Sequence, residues 1–325
     1  MVEGCAGPRP DLDLDPDPDP DPDLDRDPDL DRDLDLDLDP DLDLDRDPDL
    51  DLDLDLDLSP SDHPRMPTDF LTRDVPALKR SVFRLGLSGS FGLDEAGSRE
   101  ALERIQYVFW FPQMKGLTAA LKDAVRRDRE RYVVASGPFL GHFPGWVRKG
   151  VERRLRELRT DYLDVLQLSW LSKMSAFTQR VQDETVRLKQ EGKIRAIGVT
   201  THDRPRAGRL AEDSIVDLLQ IRYNAAHPGA EQDVFPHLAR RRPAIVAYTA
   251  TSWRKLMKRP RGWTGDVMTA GDCYRWVLAS PHVDVVLTGP RSARELRENL
   301  AAVDRGSPAK DELAWMRDFG RAVHG

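Results

Sequence analysis

The run VRKGVERRLRELRTDYLDVLQL, residues 147–168, holds two periodicities back to back. Over its first half Val147, Val151, Leu155 and Leu158 recur every three or four positions, with Arg and Glu on the other faces, which is the spacing of an amphipathic helix. After the break at Thr160-Asp161, Leu163–Leu168 is a short and mostly apolar run of strand length. A helix feeding directly into a buried strand is one link of an α/β chain, so the fold depends on how often the link repeats.

Reading outward in both directions, the same link recurs. Strands are expected at Phe83–Leu87, Tyr107–Phe111, Tyr132–Ser136, Leu163–Leu168, Ala196–Thr200, Leu218–Arg222, Ile245–Tyr248 and Val285–Thr288, with helical segments between them. Eight such pairs joined by right-handed crossovers make an α/β fold, a (β/α)8 TIM barrel. A further helix over Asp311–Val323 has Leu313, Met316 and Phe319 on one face and is expected to cover the outside of the barrel. Chemistry in such a barrel belongs at the C-terminal ends of the strands. The longest loop there, Thr251–Thr269, carries Trp253 and Trp263 and reads either as a lid or as a surface loop with two partly buried anchors.

Upstream the chain has a different character. From Asp11 to Asp57 every odd position is Asp, and Leu, Pro or Arg fill the even ones. The tract holds 24 Asp and three Arg, a net charge of −21, so a chain of total charge −8 is a basic domain of +13 behind an acidic tail. Mutual repulsion and the recurring prolines favour a disordered low-complexity tract over a strand. The domains are therefore expected at 1–65 for the tail and 66–325 for the barrel. Leu, Pro and Arg codon families differ at the middle base, so a slipped hexanucleotide repeat ahead of an initiator at Met66 writes this peptide. The other reading is an acidic arm that folds onto the basic barrel or binds a cationic partner.

Several function classes drop out. No apolar stretch is long enough for a membrane span, and the N-terminus lacks a secretory signal. Two cysteines, Cys5 and Cys273, fit a reducing cytoplasm and no metal cluster. The arginines spread over many helices without a nucleic-acid recognition motif. Either a monomer or a homodimer is compatible with the sequence.

Three runs make the barrel resemble the aldo-keto reductases: Leu155–Leu158 followed by Asp161–Val165, Gly192–Val199, and Gly289 through Glu298-Asn299, in family order and spacing. The resemblance implies an oxidoreductase that moves hydride between NADP(H) and a small-molecule carbonyl, with NAD(H) the alternative and no metal. The family supplies the proton from a Tyr tuned by a Lys–Asp pair, with a His orienting the carbonyl. Here those positions carry Phe109 for the Asp, Met114 for the Tyr, Gly137 for the Lys and Ser169 for the His. Phe, Met and Gly have no proton to give. A register shift of one brings in Trp110, Lys115, Ser136 or Trp170, of which only Lys115 carries a charge, and the favoured reading of Lys115 is an exposed loop lysine. Tyr107 shares the facing of Phe109 and is the candidate for a relocated phenol, with core packing as the plain alternative. His142 and His202 lie in loops after the third and fifth strands.

The resemblance carries the cofactor site better. It implies carboxamide contacts from Thr200, Thr201 and Gln220, a ring from Tyr248 stacked on the nicotinamide, and loop contacts from Thr249 and Thr251. It implies an adenosine-phosphate site at Gly289, Arg291, Ser292 and Asn299, where a helix start favours anions. Glu295 departs from the neutral or cationic residue the family often has for a 2′-phosphate, with Arg291 and Arg294 nearby to offset it. The expectation is an aldo-keto-reductase-type enzyme with a non-standard proton donor, water or Tyr107. The alternative is an inactive pseudoenzyme that binds a dinucleotide or acts as a sensor or interaction protein.

Overall fold

The computed structural model describes residues 70–138, 144–169, 171 and 177–324. Two short antiparallel strands come first, β1 (Thr72–Val75) and β2 (Arg80–Phe83). The alternating body follows as β3 (Leu85–Ser88), α1 (Glu95–Arg104), β4 (Tyr107–Phe109), α2 (Lys115–Arg127), β5 (Val133–Ser136), α3 (Pro144–Leu158), β6 (Leu163–Leu168) and α4 (Gln179–Gln190). It continues with β7 (Ile194–Thr201), α5 (Arg204–Glu212), β8 (Leu218–Arg222), α6 (Ala230–Asp233), β9 (Ala244–Tyr248), α7 (Ala270–Ala279), β10 (Val285–Thr288), α8 (Ala293–Asp304) and α9 (Lys310–His324). Strands β3 to β10 pair in sequence order and β10 closes on β3, all parallel, so the expected (β/α)8 barrel is the observed one. Among the described residues no helix is long and apolar enough to cross a membrane, and no cluster of His, Cys, Asp or Glu could hold a metal.

The hairpin was not legible. The sequence reading put Phe83 in the first barrel strand, but Phe83 ends β2 and the barrel begins at Leu85. Arg84 makes the break, its guanidinium bonding the carbonyls of Val283 (2.6 Å) and Phe70 (3.3 Å). The hairpin turns through Pro76–Leu78 and a left-handed Lys79 (φ 53°), and its Val75, Leu78 and Val82 join the barrel's interior cluster as a floor. The segment after β8 also departs from a regular helix. Four residues of α6 give way to a 3₁₀ turn at Phe235–Ala239, where Pro236 has no N–H to continue the ladder.

The two-residue strand period divides the apolar residues into two layers. Tyr107, Val133, Ala135, Val165, Ala196, Leu218, Val246, Val285 and Leu287 face inward, whereas Val108, Trp110, Val134, Leu166, Ile197, Leu219 and Val286 pack against the helices. The N-terminal face is locked by three aspartates at or just before the starts of alternate strands. Each accepts an N–H from the preceding strand and meets a cation. Asp164 takes Val134 N–H (2.9 Å) and Arg129 (2.7 Å), Asp217 takes Ile197 N–H (2.8 Å) and Lys189 (2.6 Å), and Asp284 takes Ile245 N–H (2.7 Å) and Arg242 (3.1 Å). Conserving rigidity at that face leaves the opposite one for chemistry.

Gly192 ends α4 in the left-handed region (φ 73°), its N–H closing on Lys189 O at 3.1 Å, which a β-carbon would strain. Helix α9 packs beside α7 and against the loops after β8 and β9. Phe319 meets the Trp263 ring edge-on at 5.2 Å, and Gly320 lies so close to the Ala225 carbonyl that a β-carbon there would sit 2.1 Å from it. Of the two loop tryptophans only Trp263 is thereby an anchor, since Trp253 is 43% exposed.

Candidate functional site

Inward-facing residues at the C-terminal halves of the strands form the mouth of the barrel. On the β4 side it is apolar. Phe109 is the last residue of β4, packs on the interior cluster and stands edge-on to Phe111 at 5.1 Å. Met114 immediately precedes α2 and packs into the outer layer. A β-carbon on Gly137 would lie 2.5 Å from the Gln167 carbonyl oxygen, so the two backbones touch there and leave no room for a side chain. Ser169 is buried, and its Oγ finds no partner among the described residues.

The displaced candidates fare differently. Tyr107 opens β4 on the interior floor, fully buried and without a partner for its hydroxyl; burial, aided by the charge of Asp164, pushes its phenol far above the ordinary value. The relocated-phenol expectation is therefore corrected, because a proton held there cannot meet a substrate at the strand tips. Lys115 is exposed in the first turn of α2, Trp110 faces outward and bonds Thr118 Oγ1 (2.8 Å), and Ser136 lies on the outward parity of β5. His142 and Trp170 lie outside the described residues.

Across the mouth, β6 to β9 carry polar groups. Gln167 Nε2 donates to Thr200 Oγ1 at 2.8 Å, while its Oε1 is buried and unpartnered among the described residues. Gly198 makes room for it, since a β-carbon there would fall 2.5 Å from Gln167 Oε1. Thr200 lies in register with Gln220 on β8, whose Oε1 is likewise buried without a partner. Thr201 points the other way, donating to Leu171 O (2.7 Å) and accepting from Asp203 N–H (3.1 Å), so its hydroxyl holds the neighbouring loop.

Tyr248 ends β9 in register with Arg222. Its hydroxyl reaches over β8 to the exposed His202 beyond β7, 3.0 Å from Nε2. Burial pushes the phenol up, and Arg222 opposes the shift. The chain then takes four left-handed residues without a glycine: Thr249 (φ 53°), Ser252 (46°), Trp253 (47°) and Arg254 (69°). Such strain persists only where surrounding structure holds it, and it clusters at functional sites. Asn224 Nδ2 fixes it by donating to Thr249 O (2.9 Å), and Thr251 Oγ1 accepts from Arg254 N–H (3.3 Å). Ser252 Oγ is buried and unpartnered among the described residues.

After β10, Gly289 lies under the ring of Phe91. Ser292 caps α8 by accepting from Glu295 N–H (3.2 Å). Glu295 Oε2 accepts from Arg291 N–H (2.9 Å), and its Oε1 lies 3.3 Å from the Arg291 guanidinium and 3.6 Å from Arg254. Asn299 sits deeper, donating to Thr288 Oγ1 (3.1 Å) in the buried network with Tyr274. Thr200, Gln220 and Tyr248 thus stand together on three adjacent strands. Arg291 joins them through Glu295 and the loop that follows Tyr248, whereas Thr201 and Asn299 are engaged in structural bonds.

Residues 117–259 match the family model described as the aldo/keto reductase family. Over those residues the chain is similar to that family. Within it, a segment of 95 residues is 30% identical to the NADH-specific methylglyoxal reductase of Escherichia coli K12, covering 29% of each chain. In fold, the chain resembles an aldo-keto reductase of Bacillus halodurans in its holo form, with TM-score 0.64 and 19% identity over 77% of this chain and 96% of that one. It also resembles an aldo/keto reductase of Klebsiella pneumoniae in complex with NADP and acetate, with TM-score 0.61 and 21% identity over 77% and 95% of the two chains.

The sequence reading passed over Gln167, Arg222 and Arg254 as site residues. For the first two a signal existed, because each polar side chain shares the inward parity of an otherwise apolar strand. Nothing local marks Arg254.

Proposed function

We propose that the barrel is a nicotinamide-dinucleotide-dependent oxidoreductase acting on a small carbonyl or the corresponding alcohol, with a proton source other than the family's tyrosine. The observation that supports this reading is the set of unpartnered acceptors at the mouth. Gln167 Oε1 and Gln220 Oε1 are buried with no donor among the described residues. Such an atom costs about 1–3 kcal/mol unless a ligand satisfies it. A carboxamide offers N–H donors to these oxygens, and its carbonyl would accept from the Thr200 hydroxyl. Tyr248 would present a ring face beside it, and Ser252 with the left-handed loop would approach the phosphates. The bound reduced dinucleotide supplies a hydride; everything else falls to the chain. Phe109 and Phe111 exclude water from one wall. Among the described residues, groups at the mouth with a transferable proton include Ser169, Thr200, Tyr248 and His202, and exposed His202 can exchange its proton with solvent.

A second reading is a pseudoenzyme that binds the dinucleotide without turnover. It is supported by the apolar Phe109–Phe111 wall and by the backbone contact at Gly137, which put no ionisable side chain on that side of the mouth. Titrating NADH and NADPH into the full chain and following tryptophan fluorescence tests the shared premise. Carbonyl-dependent oxidation of the bound dinucleotide then divides the two readings. Methylglyoxal is the first carbonyl to try, because the curated relative is named for it. No quenching up to millimolar dinucleotide rejects both. As to which dinucleotide, the basic balance of the domain leans toward NADP(H).

A further inference from the structure

The end of the barrel away from the mouth holds a small cavity of about 140 Å³, set between the β1–β2 hairpin and the starts of β9 and β10. Its polar lining includes Arg73, Arg242 and Asp284, and the rest of the wall is largely apolar, from Val75 and the Pro76-Ala77 turn to Ala244. None of these residues takes part at the mouth, which opens on the opposite face.

Arg73 is the group that the cavity leaves unfinished. Its side chain is only 11% exposed, and Nη1 is spent on the Pro281 carbonyl at 3.2 Å. Nε is buried without a partner, and Nη2 has none among the described residues. Those two nitrogens form one edge of the guanidinium, an edge able to take both oxygens of a carboxylate. Asp284 does not fill it. Its approach to Arg73 is 3.9 Å, at Nη1, and its oxygens are engaged by the Ile245 N–H (2.7 Å) and by Arg242 (3.1 Å). Asp74, the other acid on the wall, is exposed. Two guanidinium groups therefore share one buried carboxylate. Burial draws the Arg73 pKa below the ordinary arginine value, the charge of Asp284 opposes this, and Arg242 adds to it. Arginine stays protonated all the same, so the buried groups carry one positive charge more than they balance.

We propose that this cavity binds a short-chain aliphatic carboxylate, held by Arg73 on the face of the barrel opposite the mouth. The charge excess calls for an anion, the free edge for two coplanar oxygens, and the apolar wall for a hydrocarbon body. Size sets the limit, because about 140 Å³ is well under the ~300 Å³ at which drug-sized pockets begin, so the occupant has few heavy atoms. Inorganic phosphate meets the charge but gains nothing from the apolar wall. Since Arg73 belongs to β1 and Ala244 to β9, the occupant bridges the hairpin and the barrel and stabilises the floor.

The test is calorimetric titration and thermal melting of the full chain, wild type and Arg73→Gln, with sodium butyrate, with butyramide as its uncharged counterpart, and with sodium phosphate at matched ionic strength. Butyrate should bind wild type saturably and, at tenfold above its Kd, raise the melting temperature by about 3–6 °C. Butyramide should not bind, phosphate should bind at least tenfold more weakly, and Arg73→Gln should lose the response to butyrate. If Arg73→Gln fails to fold, the wild-type series decides, because a site built on the guanidinium separates butyrate from butyramide and one built on the apolar wall alone does not. No saturable binding of butyrate up to about 50 mM, equal binding of butyramide or phosphate, or a butyrate response that survives in folded Arg73→Gln overturns the proposal.

Discussion

Replacing Gly137 by alanine adds a single carbon at the point where β5 ends. That carbon would stand 2.5 Å from the Gln167 carbonyl oxygen and 3.1 Å from Leu166 Cδ1. The first neighbour is backbone of the adjacent strand and cannot rotate away. The glycine is pinned on its other side, its own carbonyl accepting from the buried Arg154 at 3.3 Å. Relief therefore requires β5 and β6 to separate locally, and overpacking of this kind costs about 1–3 kcal/mol. For a domain of this size each kcal/mol lowers the melting temperature by about 2–4 °C, so Gly137→Ala should melt about 2–12 °C below wild type. Calorimetry or circular dichroism at neutral pH measures it. A melt within about 1 °C of wild type would refute the argument that this backbone contact excludes a side chain. By the same reasoning Gly137→Lys should destabilise at least as much.

Tyr107→Phe removes a buried hydroxyl that has no partner among the described residues, so stability should hold or rise by about 1 kcal/mol; loss of carbonyl reduction in the folded variant would reinstate Tyr107 as the proton donor. Asp164→Ala strands the half-buried Arg129 and the Val134 N–H, and urea unfolding should show a loss of about 3 kcal/mol, with Asp164→Asn intermediate because it keeps one acceptor. Tyr248→Ala should weaken dinucleotide binding at least tenfold and Tyr248→Phe much less, because stacking needs the ring; equal losses would point to the hydroxyl contact with His202 instead. Glu130 is held down to about 2 by Arg195 and Tyr162, and Glu312 to about 2 by Arg275 and the Ala309 N–H. Both therefore stabilise the fold fully above about pH 4.5, and the contribution is lost as pH falls toward 2. Exposure keeps each effect small, but Glu312→Gln should flatten the fall in urea midpoint between pH 5 and 2.5, and a decline parallel to wild type would refute that assignment.

What the sequence determined by itself is the ladder of the barrel. A strand's two-residue alternation and a helix's three-to-four spacing are local properties, so Leu163–Leu168, Leu218–Arg222 and Val285–Thr288 could be placed to the residue and closed into eight pairs. Tertiary structure decided the rest. Tyr107 and Phe109 share a face, yet only the hairpin floor shows that one is sealed beneath the other. Thr200 and Thr201 are neighbours in sequence, but strand parity turns one into the mouth and the other toward Leu171. The pairings that give the site its character join residues about forty apart, Tyr248 with His202 and Arg254 with Glu295. No periodicity encodes such contacts, because they exist only once the closed sheet brings the tips of its strands together.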